Sequence, residues 1–229
     1  MNYTCMNKTK PTRSRSGAFS LMELLLVITV IGILAGFTLA VMPGIKRQQN
    51  LKVARGEMEV LQLALDNYKA KYGTYPPANA NSSMLNQLYY ELSGTTFNNN
   101  TFTTLDGVSQ IPAANVNTAY GVGGFVNCTK GAGEDAIVAR NFLPNLKQRQ
   151  FNTYVTNNGV RTTILITSVG GPDDKYQPLN ASDLNPFRYA YPGTNNPNSY
   201  DLWVQLVMGG KTNLICNWSR QVIINSPLP

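Results

Sequence analysis

The sequence predicts an α+β chain. A long N-terminal helix, with a transmembrane half and an amphipathic half, packs on a C-terminal antiparallel β-sheet. Three observations lead there. Residues 24–42 are nineteen in a row without a formal charge. Apolar residues then recur at spacings of three and four from Leu51 to Tyr72. After residue 160 the chain turns to short β-branched and aromatic runs separated by Gly, Pro and Asn.

The first eighteen residues carry Lys8, Lys10, Arg13 and Arg15, and no acid precedes Glu23. The positive-inside bias therefore predicts a cytoplasmic N-terminus, with everything after residue 42 on the other side of the membrane. Residues 19–42 make a segment of roughly 20–24 residues, enough for a helix across about 30 Å of hydrocarbon. A secretory signal peptide has an apolar core of about 7–15 residues and a small-residue cleavage site; this core is longer, and no loop-like cleavage region follows it. A plain signal anchor fits the length and flanks. It does not account for Glu23, because an acid in a membrane helix costs on the order of 2.5–3.5 kcal/mol and normally has a partner.

A short basic leader, then Gly17, Ala18, Phe19, Ser20, Leu21, Met22 and Glu23 ahead of an apolar helix, resembles the class III signal of type IV prepilins and type II secretion pseudopilins. The resemblance implies cleavage of the leader, residues 1–18, by a membrane prepilin peptidase and methylation of the new N-terminal amine. In that family Gly directly precedes Phe, and Glu is the fifth mature residue. Cleavage between Ala18 and Phe19 keeps Glu23 fifth, although Gly17 is then displaced by one position; cleavage after Gly17 is the alternative and makes Glu23 sixth. The resemblance further implies that the Glu23 carboxylate of one subunit pairs with the Phe19 amine of its neighbour in a helical assembly. Such a pair exchanges two badly placed charges for one neutral unit in a low dielectric.

The predicted helix continues over 43–75. Leu51, Ala54, Met58, Leu61, Leu65, Tyr68 and Tyr72 form one apolar stripe, while Lys52, Arg55, Glu57, Glu59, Asp66 and Lys69 take other positions. That stripe predicts ordinary packing on the chain's own folded part. Pro43 and Gly44 predict a bend. Gly73 ends the helix, and Pro76 with Pro77 prevents its continuation. The segment Tyr-Gly-Thr-Tyr-Pro at 72–76 is similar to the one that closes the long helix of major pseudopilins, ahead of a variable loop and an antiparallel sheet.

From Pro76 to about residue 133 the composition is rich in Asn, Thr, Ser and Gly, which predicts loop and insertion. Met84 to Leu92 read as a helical turn or two within it, and the three asparagines at 98–100 match no ligand motif. Residues 136–147 carry a modest helical or turn pattern. Strands are predicted at 161–169, 187–193 and 199–206, with a final pair at 213–218 and 221–225. Residues 76–229 thus form one loop-rich domain with an antiparallel sheet, pilin-like in the sense of the resemblance.

Pro186, Tyr189, Tyr200, Asp201, Leu202 and Trp203 are similar to the Asp-Pro-Trp-Gly-x-Pro-Tyr and Tyr-Asp-Leu-Trp segments of the secretion pseudopilin G group and its relatives, while Asn185 and Phe187 fit loosely. That group commonly binds calcium in its C-terminal loop, which here implies Asp201 near Asn195, Asn196 and Asn198, together with Asp173 and Asp174. Calcium takes about six to eight oxygen ligands. The stretch after the Tyr-Asp-Leu-Trp run, VQLVMGGKTNLI, has no carboxylate, so solvated loop carboxylates are the competing reading.

Of three cysteines, Cys5 leaves with the leader. Cys128 and Cys216 remain, either bridged in an oxidising compartment or as two separately buried thiols. The chain has no histidine, which removes the commonest neutral-pH base, and its glycine-rich stretches match no phosphate or dinucleotide loop. No catalytic role is expected, and no cofactor unless calcium. The formal charge of +7 falls to +3 without the four leader cations, so the basic balance is a targeting effect and no nucleic-acid partner is expected.

The leading expectation is a pseudopilin processed at the bacterial inner membrane, with its folded part in the periplasm. It would self-associate with other pseudopilins, on an inner-membrane assembly platform, into a type II secretion-like filament. A type IV pilus subunit for adhesion, motility or DNA uptake is the first alternative. A membrane-tethered binding module that never polymerises is the second.

Overall fold

The first helix is set at both ends by local chemistry. In the computed structural model, which describes residues 20–130, 137–170, 176–181, 184–208 and 210–225, α1 runs over Leu21–Tyr72. Ser20 starts it, and Gly73, at φ +79°, closes it by donating its N–H to the Lys69 carbonyl at 2.7 Å. Glycine takes that left-handed conformation without steric cost. The helical backbone continues across Pro43 and Gly44, where the sequence predicts a bend. Two compact units divide the chain, Met1–Ile45 and Lys46–Pro229. In the first, the described residues are 20–45 and helical from Leu21.

In the second unit the rest of α1 lays its stripe into the core. Leu51, Ala54, Met58, Leu61, Leu65 and Tyr68 are buried, and Tyr72 is half-buried. Glu57, on a flank of the stripe, ties the helix to the chain beyond residue 166. Its carboxylate accepts the Thr167 hydroxyl at 2.8 Å and the Ser168 N–H at 3.2 Å, and also receives the Ser168 hydroxyl.

The chain is α+β, but its architecture corrects the expectation of one helix, half of it transmembrane, on one antiparallel sheet. Among the described residues there are three separate sheets. The first has the order β3-β2-β1-β4, from β1 (Thr95–Asn98), β2 (Thr101–Thr104), β3 (Gln110–Pro112) and β4 (Cys128–Thr129), and its β1–β4 pair is parallel. The second is the hairpin of β5 (Phe151–Val155) and β6 (Arg161–Leu165). The third has the order β10-β9-β8-β7, from β7 (Arg188–Ala190), β8 (Asp201–Met208), β9 (Lys211–Cys216) and β10 (Ser219–Ile224). Among the described residues no helix is long and apolar enough to cross a membrane.

The stretch 76–133, expected as loop with a helical turn or two at 84–92, has the short helix α2 (Leu88–Ser93) in that place, and its described residues also hold the first sheet and α3 (Ala113–Tyr120). The asparagines explain the hairpin between β1 and β2. Asn99 and Asn100 sit at φ 49° and 59°, the pair of left-handed residues that a two-residue turn between twisted strands requires and that Asn tolerates. One core joins the α1 stripe to α2, α3 and the inner faces of the first and third sheets, through Tyr68, Tyr89, Tyr90, Tyr189, Leu202 and Val204 among others.

Candidate functional site: an exposed apolar helix and its single carboxylate

Between Leu21 and Phe37, twelve large apolar side chains are 47% to 87% exposed. Consecutive residues such as Leu24, Leu25, Leu26, Val27 and Ile28 all belong to that set, so the apolar surface runs right round the helix instead of forming a stripe. A helix apolar on every side is normally buried on every side, and folded proteins rarely expose contiguous apolar patches beyond a few hundred Å². This surface calls for a cover larger than a single neighbouring element.

Glu23 is the only ionisable side chain on that helix up to Lys46. Its Oε2 accepts the Ser20 N–H at 3.0 Å, and Ser20 Oγ accepts the Met22 N–H at 3.2 Å. The pair is a capping arrangement of the Ser-x-x-Glu type, which satisfies amide groups left without partners in the first turn. The sequence pattern Ser20-Leu21-Met22-Glu23 carries that signal. Gly17, Ala18 and Phe19, the expected processing residues and the source of the expected partner amine, lie outside the described residues.

Asp201, expected as a calcium ligand, is 2% exposed and fully engaged by its own loop. Oδ2 accepts the backbone N–H and side-chain amide of Asn195 at 2.8 and 3.0 Å, and Oδ1 those of Asn196 at 3.0 and 3.1 Å. A cation needs lone pairs, and here each oxygen already receives two N–H groups. Asn198 is exposed and makes no part of that set. Asp173 and Asp174 lie outside the described residues, and among the described residues no three potential metal ligands cluster. Of the two states left open for the cysteines, the structure has separate thiols: Cys128 in β4 and Cys216 in β9 are both free and buried. Burial pushes the Cys216 thiol above its ordinary pKa, the direction that lowers reactivity.

The most elaborate polar cluster was not visible from the sequence. Glu91 of α2 is 0% exposed; its carboxylate accepts the Tyr68 hydroxyl at 3.0 Å and the N–H groups of Val126 and Asn127 at 2.9 Å each. Asn127, also 0% exposed, accepts the Tyr72 hydroxyl at 2.7 Å and donates to the carbonyls of Glu91 and Arg140 at 2.6 Å each. The cluster joins α1 and α2 to Val126, Asn127 and Arg140. Burial pushes the Glu91 carboxyl up, opposed by the Asn127 and Val126 N–H groups, and pushes the Tyr68 hydroxyl up as well. The only signal in the sequence was Tyr68 within an apolar stripe, because a buried phenol needs a hydrogen-bond partner. In this cluster the Glu91 carboxylate faces three donors, from Tyr68, Val126 and Asn127, and so ties these segments together.

Comparison of the chain with protein-family models, with curated proteins and with solved structures gave no match.

Proposed function

We propose that the chain is a pilin-like structural subunit, a pseudopilin that polymerises into a type II secretion-like filament and drives protein export across the outer membrane. The observation that carries this reading is the exposed helix of residues 21–37, apolar all round and bearing one carboxylate. A bundle of identical helices covers such a surface on every side at once. Fully burying one Leu, Ile or Phe side chain stabilises by about 1.5–3 kcal/mol, so twelve partly exposed ones supply a large drive for association.

In this reading the leader is removed between Ala18 and Phe19 and the Phe19 amine is methylated by the prepilin peptidase. Glu23 takes the neighbour's amine as its partner during assembly. The unassembled subunit resides at the bacterial inner membrane with its folded unit on the periplasmic side, and it is fed into the filament by an assembly platform.

The test is the intact mass and N-terminal residue of the membrane-extracted protein, expressed with and without a prepilin peptidase. Peptidase-dependent loss of residues 1–18 and a methylated Phe19 are expected. An uncut Met1 chain in both preparations would remove the basis for the proposal and favour a tethered binding module.

A further inference from the structure

One end of the second unit gathers cations and exposed apolar side chains. Arg47 Nη2 donates to Asn213 Oδ1 at 2.8 Å, and the Asn50 side-chain amide reaches the Met208 sulfur at 3.6 Å. The turn between β8 and β9, closed by the Met208–Lys211 pair, therefore lies beside the first turns of α1 in this unit. The strand β10 finishes at the same place: Ile224 stands opposite Asn213, and the Asn225 N–H donates to the Thr212 carbonyl at 2.7 Å. Lys46, Lys52 and Lys211 are exposed, Arg47 is half-buried, and Ile223 and Ile224 are 40% and 51% exposed. Lys46 and Lys52 are only about 9 Å apart along the helix axis.

The segments that build this end carry no acid. None occurs between Glu23 and Glu57, or from residue 202 to residue 229. Glu57 lies about 16 Å further along the helix than Lys46 and is engaged with Thr167 and Ser168. The acceptor that Arg47 has found, Asn213, is neutral. Four cations beside two exposed isoleucines make a surface that is basic and apolar at once. Segments that lie in a membrane interface have that composition, with cations against anionic headgroups and apolar side chains at the boundary below them. Lys46 also follows directly on Ile45, the last residue of the first unit. A bilayer that covers the exposed apolar helix is therefore within reach of this end through the chain itself.

We infer that this end of the folded unit is a docking surface for anionic phospholipid headgroups, which Lys46, Arg47, Lys52 and Lys211 contact while Ile223 and Ile224 sit at the boundary with the acyl chains. The inference rests on the membrane residence in the reading above and is independent of polymerisation. The attraction is collective, falls off within a Debye length of the lipid surface and weakens as salt is raised.

The experiment uses the full chain, reconstituted with vesicles of phosphatidylcholine alone or of phosphatidylcholine mixed with phosphatidylglycerol. An uncharged, water-soluble amine reagent is applied, and peptide masses give the modification rate of each lysine relative to Lys147, which is exposed in the same unit. Lys211 is the decisive residue, because chain connectivity alone brings Lys46 near a bilayer. Phosphatidylglycerol is expected to slow Lys211 by about fivefold, and raised salt should restore its rate. Lys46→Gln with Lys52→Gln changes two exposed side chains and should return Lys211 to within about twofold of its rate on neutral vesicles. If the chain floats with the vesicles but Lys211 reacts equally on both kinds, or stays protected in the double variant, the headgroup contact is wrong and membrane residence stands. If the chain floats with neither kind, both fall. Slowing of Lys211 that appears only when a second protein is added overturns the lipid assignment in favour of an acidic protein partner.

Discussion

Glu23 has an observed role in capping the helix and a proposed role as a partner for an amine, and two substitutions separate them. Ser20→Ala removes the hydroxyl that accepts the Met22 N–H at 3.2 Å and leaves the carboxylate charge in place. Loss of such a cap costs about 0.5–2 kcal/mol, felt in the first turn of a helix of 52 residues; the remainder of the helix does not depend on it. Glu23→Gln keeps an acceptor for the Ser20 N–H, now held at 3.0 Å, since Gln serves at that position as Glu does. It removes only the charge. An unpaired acid in apolar surroundings costs on the order of 2.5–3.5 kcal/mol, and relief of that cost is the drive a charge pair adds to assembly. At 1.4 kcal/mol per tenfold, Glu23→Gln should weaken subunit association by about 100-fold, whereas Ser20→Ala should leave it within about tenfold of the unaltered chain. The assay is the sedimenting fraction over a dilution series, with intact mass confirming that both variants are processed alike. If Glu23→Gln assembles like the unaltered chain, or Ser20→Ala loses as much, the carboxylate matters as a cap and the pairing argument is refuted.

Glu91→Ala leaves the buried Tyr68 hydroxyl and Asn127 N–H, and the part-exposed Val126 N–H, without their acceptor; at about 1–3 kcal/mol for each of the two buried orphans a loss of about 2–6 kcal/mol is expected in urea unfolding followed by Trp203 and Trp218 fluorescence. Tyr68→Phe, which removes one donor, should cost about 1 kcal/mol in the same assay, and equal losses would show that the cluster is not organised around the carboxylate. Because burial raises the folded-state pKa of Glu91 above its ordinary value, the folded chain binds that proton more tightly than the unfolded one. The associated stability is present below the ordinary carboxylate range and is lost as pH rises through the raised pKa. Glu91→Gln should flatten that slope in melts taken at successive pH values, and an unchanged slope would assign it to other groups. Gly193→Ala places a Cβ 2.6 Å from Asp201 Oδ1 and 2.9 Å from the Asp201 backbone nitrogen, so it should destabilise by about 1–3 kcal/mol; a neutral result would mean the loop relaxes freely.

What the sequence made legible was whatever repeats with a period. The stripe from Leu51 to Tyr68 is buried because alternating spacings of three and four keep those residues on one side of a helix. The run at 161–165 and the C-terminal strands showed themselves through β-branched residues bounded by Gly, Pro and Asn. The first sheet was hidden by composition, because Thr95 to Thr104 are polar enough to pass for loop. The signal was nonetheless there, in Thr and Phe on both sides of a turn whose two central residues, Asn99 and Asn100, tolerate positive φ. Strand pairing was harder. Nothing local in Cys128 and Thr129 says that they run parallel to Thr95 and Thr96, and the division into three sheets depends on such long-range choices.

Asp201 shows where residue types alone stop deciding chemistry. A carboxylate beside Asn195 and Asn196 suits either a cation site or a loop lock, since asparagine offers a carbonyl oxygen to a metal and N–H groups to an anion. The outcome depends on which way the loop backbone faces. Here the N–H groups of Asn195 and Asn196 point at the carboxylate together with both side-chain amides, and Gly193 lies so close to Asp201 that no side chain fits between them. That arrangement holds a negative charge by donors and turns it away from solvent. The carboxylate therefore fixes the entry into β8, the strand whose Leu202, Val204 and Leu206 are buried in the core, and its contribution is to the rigidity of the third sheet.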